Sequence, residues 1–254
     1  MLAIPLKRSA KVDLVKPLSG YIEAEYSPTD AEGHEEALKT LQQLRVDATT
    51  NVQAATDSSR KLLYKYYQQL IYADKRFPVS ETKVELSFTW FDAFKPSRKI
   101  VMYSLAFEQA AILFNAAALE SHAGVQQDRS NGEGLVAACN HFKKAAGIFL
   151  HLKDNLCGRL MGNLTSDLTG DGLNLLKHVM MAQAQACFYE KAVKDKMKEG
   201  LVAKLAAQAS DFYNQSLAAS KTPTLSSTMD KSWAFHLEFQ VHCFNAASQY
   251  WQSI

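Results

Sequence analysis

The chain has 254 residues, 47% of them hydrophobic, and a formal net charge of +2. A chain of this length and apolar content can bury a substantial core, so disorder over most of it is disfavoured. The near-neutral charge argues against a nucleic-acid-binding protein. Glycine (11) and proline (6) are few, and the composition therefore favours long helices over many short strands.

The four cysteines stand alone, without a C-x-x-C pair. This pattern is typical of reduced thiols in a cytoplasmic protein rather than of a disulfide framework. No apolar run reaches the length of a signal peptide or of a membrane span. The sequence stops at Ile254 without a helix stop signal, so we expect either a helix that finishes at the terminus or a piece of a longer protein.

The first elements in chain order are one short strand and two helices. The apolar run 2–6 contains Pro5, which permits only an edge or terminal strand. A short helix is predicted over 16–26. Thr29 and Glu32 then have the spacing of a capping box, which predicts that a second helix starts there. Further along, Thr56 or Asp57 can cap a third helix.

The period changes to two over 84–90, where apolar Val84, Leu86, Phe88 and Trp90 alternate with polar residues. Strict alternation predicts a half-buried strand, and we expect the run 2–6 to pair with it in a small antiparallel sheet. From Ile100 onward the chain is predicted to be helical. Glu108 and Asn115 fall in a very apolar helix, where a satisfied buried hydrogen bond is a better explanation than catalysis.

Two alanine-rich helices around the break 194–200 carry the clearest surface signal. On the first, Phe188 lies opposite the core stripe and in line with Met181. On the second, Leu201 and Leu205 belong to one apolar stripe, and a separate stripe begins at Val202. A helix with two apolar stripes can pack against the body with one and present the other to a partner.

Lysines surround the same break at positions 191, 194, 196, 198 and 204. They are explained either by a solvated turn with salt bridges to Glu190, Asp195 and Glu199, or by contact with an acidic helix or an anionic membrane. No nucleotide-binding, nucleophile-elbow or zinc-protease motif is present. We therefore expect no catalytic, cofactor-binding or metal-binding residue, and no small-molecule substrate.

Several stretches resemble the BRO domain of the Alix family of endosomal scaffolds, in family order across nearly the whole chain. They are LKRSAKVDLVKPL at 6–18, ELSFTWFDAF at 85–94, FEQAAILFNAAAL at 107–119, HFKKAAGIFLHLK at 141–153 and MAQAQACFYEKAVKDKMKEGLVAKLAAQASDFY at 181–213. The resemblance implies one BRO-type domain over 1–254, truncated at its C-terminal end. The implied fold is mainly α, a banana-shaped, tetratricopeptide-like solenoid of helical hairpins with a small N-terminal antiparallel sheet.

The resemblance also implies a non-enzymatic adaptor that binds the C-terminal amphipathic helix of an ESCRT-III core subunit in an apolar groove. The anchors of that groove map onto Phe188, Leu201 and Leu205, with Met181 and Lys204 as neighbouring candidates. An aspartate and a lysine usually flank it, but this chain has Gly132 and Val136 there. We expect this departure to weaken charge-assisted contacts and to favour apolar contact.

The sequence is compatible with two functions from different classes. The first is an adaptor in multivesicular body formation, cytoplasmic and recruited to endosomal membranes. The second is a peripheral membrane or lipid-binding module that acts through a basic convex surface, with Lys191, Lys194, Lys196 and Lys198 as contact residues. The salt dependence of binding separates the two, because salt screens electrostatic attraction to lipid.

Overall fold

The computed structural model describes residues 1–50, 52, 54–160 and 162–254. Within these residues the chain is mainly helical, with one small sheet. The helices are α1 (Val15–Glu25), α2 (Pro28–Thr50), α3 (Asp57–Asp74), α4 (Leu105–Gln126), α5 (Gly132–His151), α6 (Gly170–Lys194), α7 (Glu199–Ser220), the short α8 (Pro223–Ser226) and α9 (Lys231–Ser253), and the strands are β1 (Phe88–Phe91) and β2 (Lys99–Met102).

The long helices pack in chain order. Helices α1 to α7 each contact the next helix along the chain, and α9 packs on α7. Helix α4 is buried on almost every side, and its alanines, Ala110, Ala111 and Ala116 to Ala118, have no exposed surface. Small residues at these positions let neighbouring helix axes approach closely. The predicted mainly α fold, with helical hairpins and a small antiparallel sheet, is confirmed.

The sheet differs from the prediction in its second strand. Residues 84 to 90 do alternate between buried and partly exposed positions, but the strand itself covers only Phe88–Phe91. Its antiparallel partner is Lys99–Met102, with Phe88 opposite Met102. The prediction of a helix from Ile100 was therefore wrong at its start, because the chain first returns along β1 and α4 begins at Leu105.

The apolar run 2–6 is not a strand, because side chains replace the strand partner that was predicted. Gln183 Nε2 donates to the Leu2 carbonyl oxygen at 3.0 Å, and the Leu2 N–H donates back to the Gln183 amide oxygen. Asn115 makes the same double contact with the backbone of Lys7, at 2.7 and 3.0 Å. The N-terminal segment is thus held against α4 and α6, and its backbone groups remain satisfied.

Buried polar groups in α4 have structural partners, as predicted. Glu108 is fully buried and accepts hydrogen bonds from Arg45 Nε at 2.9 Å, Tyr66 Oη at 3.1 Å and Trp90 Nε1 at 2.6 Å. Because the carboxylate has both a cationic partner and neutral donors, its burial is tolerated. This cluster ties α2, α3 and β1 to α4.

Side-chain caps explain where three of the helices begin, and one of these starts corrects a prediction. Helix α2 begins at Pro28 because Ser27 Oγ accepts from the Asp30 N–H at 3.1 Å; the predicted capping box at Thr29 was therefore two residues too late. Thr56 caps α3, as predicted. Thr169 Oγ1 accepts from the Gly172 N–H at 3.1 Å and starts α6.

Candidate partner-binding site

The α6–α7 hairpin contains one fully buried face and one apolar face that reaches solvent. On α7, Val202, Ala206, Ala209 and Tyr213 are at most 1% exposed. Leu201, one residue before this stripe, has 46% of its surface exposed, and Leu205 is half-buried. The predicted separation of two apolar stripes on α7 is therefore present in the structure.

Helix α6 contributes Phe188 to the same surface. Phe188 is 46% exposed, whereas Val179, Ala182 and Ala186 of the core stripe are buried. Gln185, one turn before Phe188, donates from Nε2 to the Leu205 carbonyl oxygen at 3.3 Å. Because α6 and α7 run antiparallel from the break, this contact places Phe188 beside the turn of α7 that carries Leu201. We call the surface formed by Phe188, Leu201 and Leu205 the apolar groove.

Met181 lies two turns before Phe188 on α6 and is half-buried against the core. Lys204 is exposed on α7, between Leu201 and Leu205 in sequence. Both candidates therefore lie on the same hairpin as the three anchors.

Helix α5 packs beside α6, and there Gly132 and Val136 lie next to Lys191. These three residues line one shallow depression. Val136 is 45% exposed. Gly132 is the first residue of α5, and a Cβ atom at this position would lie 3.8 Å from Lys191 Nζ. Gly132 and Val136, the two expected flanking positions, therefore lie on α5 against the end of α6.

The structure adds a residue that sequence reasoning missed. Lys143, on α5, places its Nζ atom 5.9 Å from the centre of the Phe188 ring. It is seven residues after Val136, and hence on the same face of α5. That spacing was visible in the sequence, but the match between Lys143 and Phe188 depends on how α5 and α6 align, which the sequence does not show.

The lysine side chains at the break between α6 and α7 differ in their environment: some have hydrogen-bond or ion-pair partners, and others are exposed. Lys191 forms an ion pair with Asp195 at 2.7 Å, as the solvated-turn interpretation predicted. Lys194 Nζ donates to the Ser130 carbonyl oxygen. Lys196 adopts a left-handed backbone conformation with φ of 52°, and Lys196 and Lys198 are exposed. The four candidate membrane-contact lysines are therefore not equivalent.

No three histidine, cysteine or carboxylate side chains of the described residues are grouped so that they could hold a metal ion. Each helix within the described ranges is too short or too polar to cross a lipid bilayer.

Helical hairpins that expose large apolar side chains on one face are suited to binding a peptide helix. The family model for the BRO1-like domain matches residues 1–254. The chain belongs to the BRO1-like domain family.

Similar proteins include the ALG-2 interacting protein X of Dictyostelium discoideum, which is 36% identical over 98% of this chain and 31% of its own length. The human programmed cell death 6-interacting protein is 35% identical over 100% of this chain and 30% of its own length. The Gibberella zeae vacuolar protein-sorting protein BRO1 is 39% identical over 100% of this chain. The chain spans about a third or less of the length of these curated relatives.

Solved structures show the same fold. The protein in a structure described as an ALIX BRO1 CHMP4C complex superposes with a TM-score of 0.91, at 33% identity, over 100% of this chain and 72% of that chain. A structure described as the basis for endosomal targeting by the Bro1 domain gives a TM-score of 0.85 at 22% identity, over 99% of this chain and 69% of that chain. The second likeness concerns the fold alone.

Proposed function

We propose that the chain is a non-enzymatic adaptor that binds the C-terminal amphipathic helix of an ESCRT-III subunit in the apolar groove. The observation that carries this proposal is the exposure of Phe188 and Leu201, each 46%, on a hairpin whose other face is tightly packed. Large apolar side chains that remain exposed on a rigid scaffold are typical of protein-binding surfaces. The similarity to an ALIX BRO1 domain in complex with CHMP4C supports this class of partner.

The anchors fit the helix-in-groove mode of recognition. Leu201 and Leu205 are one turn apart on α7, and Phe188 lies beside them on α6. A partner helix that presents apolar residues three and four positions apart can cover all three anchors with one stripe. Because only three large side chains are involved and association costs must be subtracted, we expect dissociation constants of about micromolar size.

In this proposal the adaptor acts in endosomal sorting and multivesicular body formation. It is cytoplasmic, and the ESCRT-III polymer on the endosomal membrane recruits it. Relatives named vacuolar protein-sorting proteins support that setting. The proposed chemistry is binding alone, without a substrate, a cofactor or a nucleic acid.

The experiment that tests this proposal is the titration of a labelled ESCRT-III C-terminal helix into the wild-type chain and into Leu201→Asp. The variant places an unpaired carboxylate in the groove, so we expect binding to be lost. Asn214→Asp is the matched control, because it adds the same charge at an exposed position farther along α7. Absence of binding to the wild-type chain, or equal binding by Leu201→Asp, would refute the proposed function.

A second candidate is a peripheral membrane or lipid-binding module. The observation that favours it is the exposure of Lys196, Lys198 and Lys204, since each lysine near an anionic surface adds roughly 1 kcal/mol. Flotation with phosphatidylserine vesicles over a salt series tests it. Binding that disappears as salt rises and that persists in Leu201→Asp would support lipid binding instead of the groove.

A further inference from the structure

One side of the apolar groove carries a cation that no internal carboxylate neutralises. Lys143 is exposed on α5, and its Nζ atom lies 5.9 Å from the centre of the Phe188 ring. Among the described residues it takes part in no ion pair. The ammonium group is therefore stabilised by water and by the face of an aromatic ring.

Filling the groove changes the environment of Lys143. An apolar side chain that packs on the Phe188 ring removes water from the ammonium group beside it. A cation that loses its water without gaining a partner charge weakens binding. A carboxylate on the incoming helix removes this penalty, and it can add a charge-assisted hydrogen bond.

We propose that the groove selects an acidic amphipathic helix, with a carboxylate close to Lys143 on the flank of its apolar stripe that faces α5. In this inference Lys143 is the specificity-determining residue. The inference rests on the proposed function, and it names the chemistry of the partner. It also implies that charge-assisted contact is retained despite Gly132 and Val136, through a different position on α5.

The test uses three helical peptides that share one apolar stripe. One carries glutamates on the left flank of the stripe, one on the right flank, and the third carries glutamines on both. A helix that lies in the groove in a single direction turns one flank toward α5. We therefore expect the wild-type chain to bind one acidic peptide about three- to tenfold more tightly than the other, the size expected for one partly shielded ion pair.

Lys143→Gln removes the charge beside Phe188, and it should abolish the preference between the two acidic peptides. The matched control is Lys144→Gln, which removes the same charge from the side of α5 that, with Tyr64 and Tyr67 of α3, lines another depression. The control should keep the preference.

The outcomes are distinguishable. Equal binding of both acidic peptides by the wild-type chain, or an equal effect of Lys143→Gln and Lys144→Gln, would overturn this inference and leave the groove intact. Absence of binding for all three peptides would overturn the proposed function itself, and the inference with it.

Discussion

The two apolar stripes of α7 predict that the same substitution has very different effects on stability at two adjacent residues, Leu201 and Val202. Leu201 is 46% exposed and Val202 is 1% exposed. We expect Leu201→Asp to change the free energy of unfolding by about 1 kcal/mol or less, although it replaces a large apolar side chain. The same substitution at Val202 should cost more than about 4 kcal/mol, because it buries a carboxylate without a partner.

The magnitude for Leu201 follows from its position. Full burial of a leucine contributes about 1.5–3 kcal/mol, so a half-exposed leucine loses about 1 kcal/mol. Leu201 is the third residue of α7, where an aspartate interacts favourably with the helix dipole and regains about 0.3–1 kcal/mol. Urea unfolding followed by far-ultraviolet circular dichroism measures both variants. A loss above about 3 kcal/mol for Leu201→Asp would show that Leu201 belongs to the core, and would refute the assignment of the groove.

Three further predictions concern other parts of the molecule. Gly132→Asp should stabilise the chain by about 0.5–1 kcal/mol in urea unfolding, because it adds an acid at the first position of α5, beside Lys191; an unchanged midpoint would contradict this. Glu108→Gln should cost about 3–5 kcal/mol, since it leaves the buried Arg45 guanidinium without its charge partner, and a loss below 1 kcal/mol would show that the charge is dispensable. Burial lowers the pKa of His236 below its ordinary value of 6.5, so the unfolded chain takes up the proton first as pH falls. The stability that neutral His236 contributes should be present above about pH 6.5 and lost below it, and thermal unfolding between pH 7 and 5 should show a smaller decrease in Tm for His236→Gln.

The periodicity of apolar residues predicted those features of the structure that depend on contacts within one helix. The stripes on α6 and α7 were predictable because residues three and four apart share a helix face, and the exposure of Phe188 followed from its offset from the core stripe. The buried role of Glu108 was likewise predictable, because a carboxylate in an apolar helix must be satisfied. The cap at Thr56 was also predictable from the sequence.

Features that depend on contacts between distant residues were not predictable in the same way. The run 2–6 has the composition of an edge strand, but Gln183 and Ser121, more than a hundred residues away, make hydrogen bonds to its backbone instead. The true partner of β1, Lys99–Met102, has only four residues and no fully buried position, so its pattern is too short to separate from the helix that follows. Lys143 was missed for a related reason: it contacts Phe188 only because α5 and α6 pack side by side.

The most direct test of the central claim is a methyl nuclear magnetic resonance titration of the chain with an ESCRT-III C-terminal helix. We expect the methyl signals of Leu201, Leu205 and Met181 to shift together, with one dissociation constant, while those of the buried Leu173 and Leu237 do not move. Shifts confined to other surfaces, or no shifts at saturating peptide, would contradict the assignment of the groove as the partner-binding site.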